Sequence, residues 1–484
     1  MKIKNKNYLL IGIFLFTLAF RLYFSLQTNY FSSDDAYFNI RHTNYIIENF
    51  KPIYYDELSY GGRYVLYPPL FHYFLAIFIL IPFALKIIPE ILLASLVFFV
   101  YLIAKEITKD ENAALFSALI SAFIPLYISE TLNQVSIYSI VLPLLFYMFY
   151  CLIKLDKKIH VNNFIIASFI LPLLSPIAFL FVFSIIFYFI LTKTEDIELS
   201  KLKKELILFS SILILLISFI IYKKAFLEYG LNLIWQNIPF SLLSEHFRGI
   251  GVLELIYIVG IIPLFLGSIA IFYGIFREKS IAILLLGSFM LMGLLLAING
   301  LIDFNTGLMF FGITASIIAA LPVHRFFSYL KLTKIYKYKQ IFIVAGLLLV
   351  FILSVIPSYD VSKRLINNVP SNEDIKTLEM LRDFKDLVVL GNVYEGNMIT
   401  TIAGKKNVID NLFLLAPKPE QRLEDVNLVY TTNFGTVASE ILQRYKVGYI
   451  LLSKKTKELY NITDLKYANE ICFKKFGEGY QVIC

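Results

Sequence analysis

Asp34-Asp35 closes the polar stretch that follows the first apolar run of the chain, and Asp35 opens the segment Asp35-Ala36-Tyr37-Phe38-Asn39-Ile40-Arg41. In so apolar a chain, an ionisable group must be solvated, paired or bound to a cation. Asp35, Asn39 and His42 recur at i, i+4 and i+7, which sets all three on one helical face. The same spacing fits a solvated surface equally well. Asp34 reads as the N-cap of a helix starting near Asp35, its carboxylate serving exposed backbone N–H groups. Further on stand Tyr60-Gly61-Gly62-Arg63 and Leu66-Tyr67-Pro68-Pro69-Leu70. The Arg63 guanidinium has the fork that grips a lipid phosphate, or serves as an interfacial anchor.

Two more segments carry acids. Ser241-Leu242-Leu243-Ser244-Glu245-His246 places a carboxylate beside an imidazole, and Ile128-Ser129-Glu130-Thr131-Leu132-Asn133-Gln134 is a polar turn between two apolar runs. Carboxylate oxygens suit Mg²⁺ or Mn²⁺. The bland alternatives are a solvated loop for Glu245-His246 and an interfacial charge for Glu130. Taken together, the acids point to a divalent cation at the membrane surface. That cation would neutralise the phosphate or pyrophosphate leaving group of a lipid-linked donor.

The elements that position these residues are membrane helices. The 484 residues are 58% hydrophobic and only 17% charged, with mean hydropathy +0.71; a soluble protein carries about 25% charged residues. After a first span over 8–24, apolar runs follow near 87–104, 112–128, 137–153, 163–174, 177–192, 206–222, 251–273, 281–298, 306–322 and 341–357. The segment 67–82 is apolar but short and carries Pro68-Pro69, so it dips into the outer leaflet or pairs with a second short crossing. The expectation is an odd number of spans, eleven to thirteen. No small-residue cleavage site follows the first span, so it reads as uncleaved with a cytoplasmic N-terminus.

Formal net charge is +8, and the basic residues cluster in loops 154–158, 193–205 and 324–339. This is the positive-inside pattern of cytoplasmic loops rather than a nucleic-acid surface. Segments 25–66, 129–136 and 223–250 then face outward, as does everything after 357. Residues 1–357 form the transmembrane domain. Residues 358–484 form a small extracytoplasmic α/β domain, with strands at Leu387–Leu390 and Val447–Leu452 and helices over Glu373–Phe384 and Val437–Tyr445. Cys472 and Cys484 flank the turn Gly477-Glu478-Gly479, as a disulfide or as two free thiols. Asn461-Ile462-Thr463 is a glycosylation sequon. A transporter would place its ionisable groups in mid-span and repeat its fold internally. Here the acids gather in outward loops and no repeat is visible.

Four stretches, in order, resemble the catalytic subunit of oligosaccharyltransferase within the C-type (GT-C) membrane glycosyltransferases. Asp35-Ala36-Tyr37-Phe38-Asn39-Ile40-Arg41 is similar to that family's Asp-Pro-Tyr-Phe-Asn-Tyr-Arg motif. Gly62-Arg63 with Tyr67-Pro68 resembles its Gly-Arg…Tyr-Pro stretch. Residues 105–110 and 124–129 resemble a helix pair, and Ser241–His246 resembles its Ser-Val-Ser-Glu-His loop. The resemblance implies a GT-C-like helical membrane fold in which Asp35 and Glu245 act in catalysis and bind Mg²⁺ or Mn²⁺, joined by Glu130. Asn39, Arg41, Arg63, Ser244 and His246 would contact substrate. The donor implied is a sugar or oligosaccharide on a polyprenyl or dolichyl (pyro)phosphate, and the acceptor a protein, lipid or glycan. Membrane lipids are the surroundings and nucleic acid is no partner. The chain departs from the family at its Trp-Trp-Asp-Tyr-Gly motif. Asn392-Val393-Tyr394-Glu395-Gly396 keeps only the glycine, and Trp235 is the single tryptophan. A catalytically inactive protein of the same fold, binding lipid-linked glycan or acting as a scaffold, is the alternative.

Overall fold

Backbone amides inside a bilayer find no water, so uninterrupted apolar runs are forced into helices that satisfy their own hydrogen bonds. The computed structural model, which describes residues 3–155, 157–246, 251–468 and 471–484, shows this along most of the chain. Among the described residues, seven helices are long and apolar enough to cross a membrane: Lys6–Ser25, Ala84–Thr108, Ile177–Thr194, Lys201–Tyr229, Ile281–Ile298, Phe304–Leu330 and Lys334–Leu381. An eighth span is a bent pair, Leu253–Val259 and Ile261–Phe276, turned by 92°. The bend falls at Gly260, whose φ of +93° is open to glycine and strained for other residues. Two shorter apolar helices, Tyr138–Ile153 and Lys158–Leu174, and the buried helix Glu111–Ala122 pack in the same core. The segment 67–82 forms only the short helix Leu70–Ala76 and a series of turns.

Ion pairs collect at one end of this bundle. Lys6 meets Glu111 at 3.2 Å, Lys105 meets Glu111 at 2.7 Å, Lys154 meets Glu106 at 3.3 Å and His324 meets Asp110 at 3.1 Å. The N-terminal helix and loops 105–111, 154–158 and 324–339 therefore share an end, as their charge pattern requires.

The other end carries two small sheets. The strands β1 (Tyr55–Asp56) and β2 (Arg63–Tyr64) form an antiparallel hairpin in the first long loop. The C-terminal region folds around five strands: β3 (Val388–Leu390), β4 (Lys406–Asn407), β5 (Val447–Leu451), β6 (Phe473–Lys475) and β7 (Gly479–Val482). Their order is β4-β3-β5-β7-β6, with the first three parallel and the last three antiparallel. Alternate residues serve opposite faces. Val389, Tyr449 and Leu451 pack with Ile375, Leu378 and Leu381 of the helix Asn372–Leu381. Leu390, Ile450 and Leu452 pack with Leu423, Val426, Ile441 and Leu442 of the helices Pro419–Thr431 and Gly435–Arg444. This is a three-layer α/β arrangement. Strands β6 and β7 join across Gly477, and a disulfide links Cys472 to Cys484.

The first loop docks into this region. Tyr60 is buried in one face's core and Tyr37 in the other's. The Asn407 amide donates to Leu58 O at 2.8 Å, and the Tyr60 amide donates to Asn407 Oδ1 at 2.8 Å.

Candidate active site

Asp35 lies in the first turn of the helix Asp34–Asn49. Its neighbour Asp34 does not cap that helix, contrary to the sequence expectation. The N-cap is Ser33, and the buried Asp34 carboxylate reaches the C-terminal region instead. There it accepts from the Asn397 amide at 3.0 Å, the Asn397 side chain at 2.9 Å and the Met398 amide at 2.8 Å. The reason is topological: the turn at Gly396–Met398 leaves backbone N–H groups that need an acceptor, and docking brings Asp34 to them. Burial pushes the Asp34 carboxyl up to about 7 although those N–H groups pull the other way.

The same strand of contacts holds Asp35. Asn397 Nδ2 donates to Asn411 Oδ1 at 3.0 Å, and Asn411 Nδ2 donates to Asp35 Oδ1 at 2.6 Å. Asp35 keeps solvent access, yet the surrounding protein strips enough water from its carboxyl to raise its pKa. Nearby Asp410 and Asp303 raise it further, while Asn411 and Lys455 oppose them.

Glu130 follows the short helix Pro125–Ser129, near enough to Asp35 and Asp303 for their charges to act on it. Desolvation pushes its carboxyl up to about 8, and the charges of Asp303 and Asp35 add to the shift. Asp303, at the N-cap of Phe304–Ile318, accepts from the Thr306 amide at 2.9 Å. Thus the charges of Asp35 and Asp303 act on Glu130, and that of Asp303 acts on Asp35, across three separate segments. Among the described residues, no Lys or Arg forms an ion pair with Asp35 or Glu130. Asp303 was not singled out from sequence. Its one signal is an Asp three residues ahead of Thr306 at the start of an apolar run, which reads as an ordinary helix cap.

The other predicted residues divide sharply. The side chains of Ser244, Glu245 and His246 lie outside the described residues, although their backbone forms the end of the helix Phe240–His246. Asn39 donates to Val135 O at 2.7 Å and its Oδ1 meets His72 Nε2 at 2.9 Å. Arg41 pairs with Asp56. Arg63 is buried, with its Nε on Ser59 Oγ at 2.8 Å, Nη2 on Asp410 at 3.2 Å and Nη1 on Leu412 O and Leu414 O. These three side chains brace the first loop, and the Arg63 fork is occupied by the protein itself rather than open to a phosphate.

In the departed motif, Glu395 is buried and accepts from Asn392 at 2.7 Å, from Thr456 at 2.9 Å and from Ser453. Gly396 is obligatory on steric grounds: a Cβ there would sit 2.1 Å from Ile409 O and 2.5 Å from Asp410 Cβ. The one shared residue of the motif is therefore the one that lets the backbone approach the Asp410–Asn411 loop.

Residue sets of this kind, on a helical bundle with an α/β region clamped over its first loop, define a polytopic membrane protein with an acid-lined site at the bundle's end. No family model and no curated protein sequence matches the chain. Its fold does match solved structures of the archaeal oligosaccharyltransferase of Archaeoglobus fulgidus. The complex of that enzyme with Zn and sulfate superposes at TM-score 0.63 and 14% identity, over 91% of this chain and 67% of that one. The form tethered to an acceptor peptide with an NVT sequon gives TM-score 0.66 at 14% identity, over 93% and 69%. The complex with an inhibitory peptide and a dolichol-phosphate gives TM-score 0.62 at 13% identity, over 92% and 69%. The chain shares the fold of these oligosaccharyltransferase structures along nearly its whole length.

Proposed function

We propose that this protein is a divalent-cation-dependent membrane glycosyltransferase. It transfers a sugar or oligosaccharide from a polyprenyl or dolichyl (pyro)phosphate to an acceptor at the outer membrane face. The observation that carries the reading is that Asp35 and Glu130, from separate segments, lie close enough for the Asp35 charge to act on Glu130, with no basic ion-pair partner of either among the described residues. Like charges held together are costly unless protons or a cation relieve them. Among the described residues, no three His, Cys, Asp or Glu side chains close on one ion. The protein would then supply only part of the shell of a Mg²⁺ or Mn²⁺. Asp35 and Glu130 would hold it, with Glu245 as a further ligand and water for the remainder. When bound, the cation would neutralise charge on the departing phosphate. Asp35, fixed by Asn411, would also orient the acceptor nucleophile.

The relatives solved with an acceptor peptide and with dolichol-phosphate support the substrate classes. The acceptor preference is expected to differ, since Glu395 replaces nothing the tryptophan pair could do and is spent on Asn392, Ser453 and Thr456. The basic end of the bundle would face the cytoplasm and residues 358–484 the outside, by the positive-inside rule.

The test is turnover. Purified protein is incubated with a lipid-pyrophosphate-linked oligosaccharide and a mixed peptide acceptor, with Mn²⁺ or with EDTA. Release of lipid pyrophosphate with transfer of the oligosaccharide to the peptide only with Mn²⁺, lost in Asp35→Ala, supports the assignment. Donor binding without turnover under every condition favours the inactive glycan-binding reading.

A further inference from the structure

A second polar network lies just beneath the site, inside the apolar bundle. Arg21 near the end of the first helix and Glu90 in the helix Ala84–Ala94 are both fully buried. Arg21 Nε donates to Glu90 Oε2 at 2.6 Å, and its Nη2 donates to Thr131 Oγ1 at 3.0 Å. The guanidinium also lies over the Tyr127 ring, 5.1 Å from its centroid. The other oxygen of Glu90 accepts from the Asn133 amide at 2.8 Å. Both partners of the ion pair thus hold the turn that carries Glu130.

From that turn the contacts run to the loop that carries Asp35. Asn133 Nδ2 donates to Ser32 Oγ at 2.8 Å and to Tyr30 O at 3.1 Å, while the Ser32 amide donates to Asn133 O at 3.1 Å. Lys86, one helical turn before Glu90, donates to Asn133 Oδ1 and to Tyr30 O, each at 2.5 Å. Asn133 itself adopts φ +56°, a conformation that asparagine tolerates and that needs support in a buried turn.

A buried ion pair is a poor route to stability, because desolvation offsets most of its attraction. Inside a membrane bundle such charges serve a purpose other than packing. We propose that the Arg21–Glu90 pair, acting through Asn133, is a positioning device that fixes the Asp35 loop and the Glu130 turn at one separation. The cleft between the two acids then keeps the width a single cation needs. Arg21, Glu90 and Asn133 touch no substrate. The inference rests on Asp35 and Glu130 being the cation ligands proposed above.

The experiment is hydrogen exchange on the full-length protein in nanodiscs, paired with Mn²⁺ titration. Glu90→Ala should raise exchange at least tenfold in both segment 28–35 and segment 126–135, and leave 419–451 unchanged. Should Glu90→Ala fail to fold, Asn133→Gly replaces it. Glycine keeps the positive φ and the amide bonded to Glu90, and loses only the side-chain clips to Ser32, Tyr30 and Lys86. It should loosen both segments and weaken Mn²⁺ binding at least fivefold. Loosening confined to the substituted segment would overturn the proposal, as would unchanged Mn²⁺ affinity with both segments loosened. A wild-type protein that binds no Mn²⁺ would sink the cation reading instead, while the exchange data still decide whether the two loops are coupled.

Discussion

Asn411 donates its side-chain N–H to Asp35 at 2.6 Å across 376 residues of sequence. Asp410, beside it, receives the Arg63 guanidinium at 3.2 Å. One loop of the C-terminal region therefore both anchors the first long loop and holds Asp35. A hydrogen bond to a charged group contributes about 1.5–3 kcal/mol. Asn411→Ala is accordingly expected to weaken cation binding at Asp35 by roughly 10-fold or more, with the thermal midpoint little changed. Calorimetric titration with Mn²⁺ reads this directly, and equal affinity in the variant would contradict it.

Arg63→Ala breaks a buried pair and strands Asp410. Removing one partner of such a pair costs about 3–5 kcal/mol. The expected result is a large fall in thermal midpoint and faster proteolysis between residues 50 and 66, because the loop loses its hold on Leu412 O and Leu414 O as well. A variant of unchanged stability that lost only donor affinity would return Arg63 to a phosphate-binding role.

Gly396→Ala tests the close approach in the departed motif. The added Cβ meets backbone at Ile409 O, which has no flexible end to swing aside. Destabilisation of about 1–3 kcal/mol or more is expected, together with loss of the Asp34 bonds to Asn397 and Met398. Unchanged melting would show that the loop repacks freely.

Asp34 sets a pH dependence whose sign follows from its burial. Its folded pKa of about 7 lies above the ordinary value of 3.8. The folded state thus holds a proton that the unfolded state releases between those values, and stability falls as pH rises from about 4 to about 7. Thermal midpoints of the metal-free protein should drop over that window, and Asp34→Asn should flatten the slope. A midpoint that rises over the window would contradict the assignment.

Much of the fold is legible because lipid permits so few solutions: long apolar runs become helices, and alternating runs after residue 385 become strands. The hairpin joining Cys472 and Cys484 is legible from its glycine turn. Asp35 and Glu130 stand out in the sequence as acids in polar turns beside apolar runs. Asn411 is not, because its partner is 376 residues away and no local pattern marks it. Arg21 and Glu90 sit singly within apolar runs and reveal themselves only as charges that need partners. Arg63 read in sequence as a phosphate grip or an interfacial anchor; its partners Ser59, Asp410, Leu412 O and Leu414 O lie mostly 347–351 residues away, where no local pattern marks them.

The most direct test of the central claim is Mn²⁺ electron paramagnetic resonance on the purified full-length protein. One bound Mn²⁺ per chain is predicted, lost in Asp35→Asn and weakened in Glu130→Gln, with binding at pH 7 releasing a proton from Glu130, whose carboxyl sits at about 8. Wild-type binding that survives both substitutions, or no binding at millimolar Mn²⁺, would contradict it.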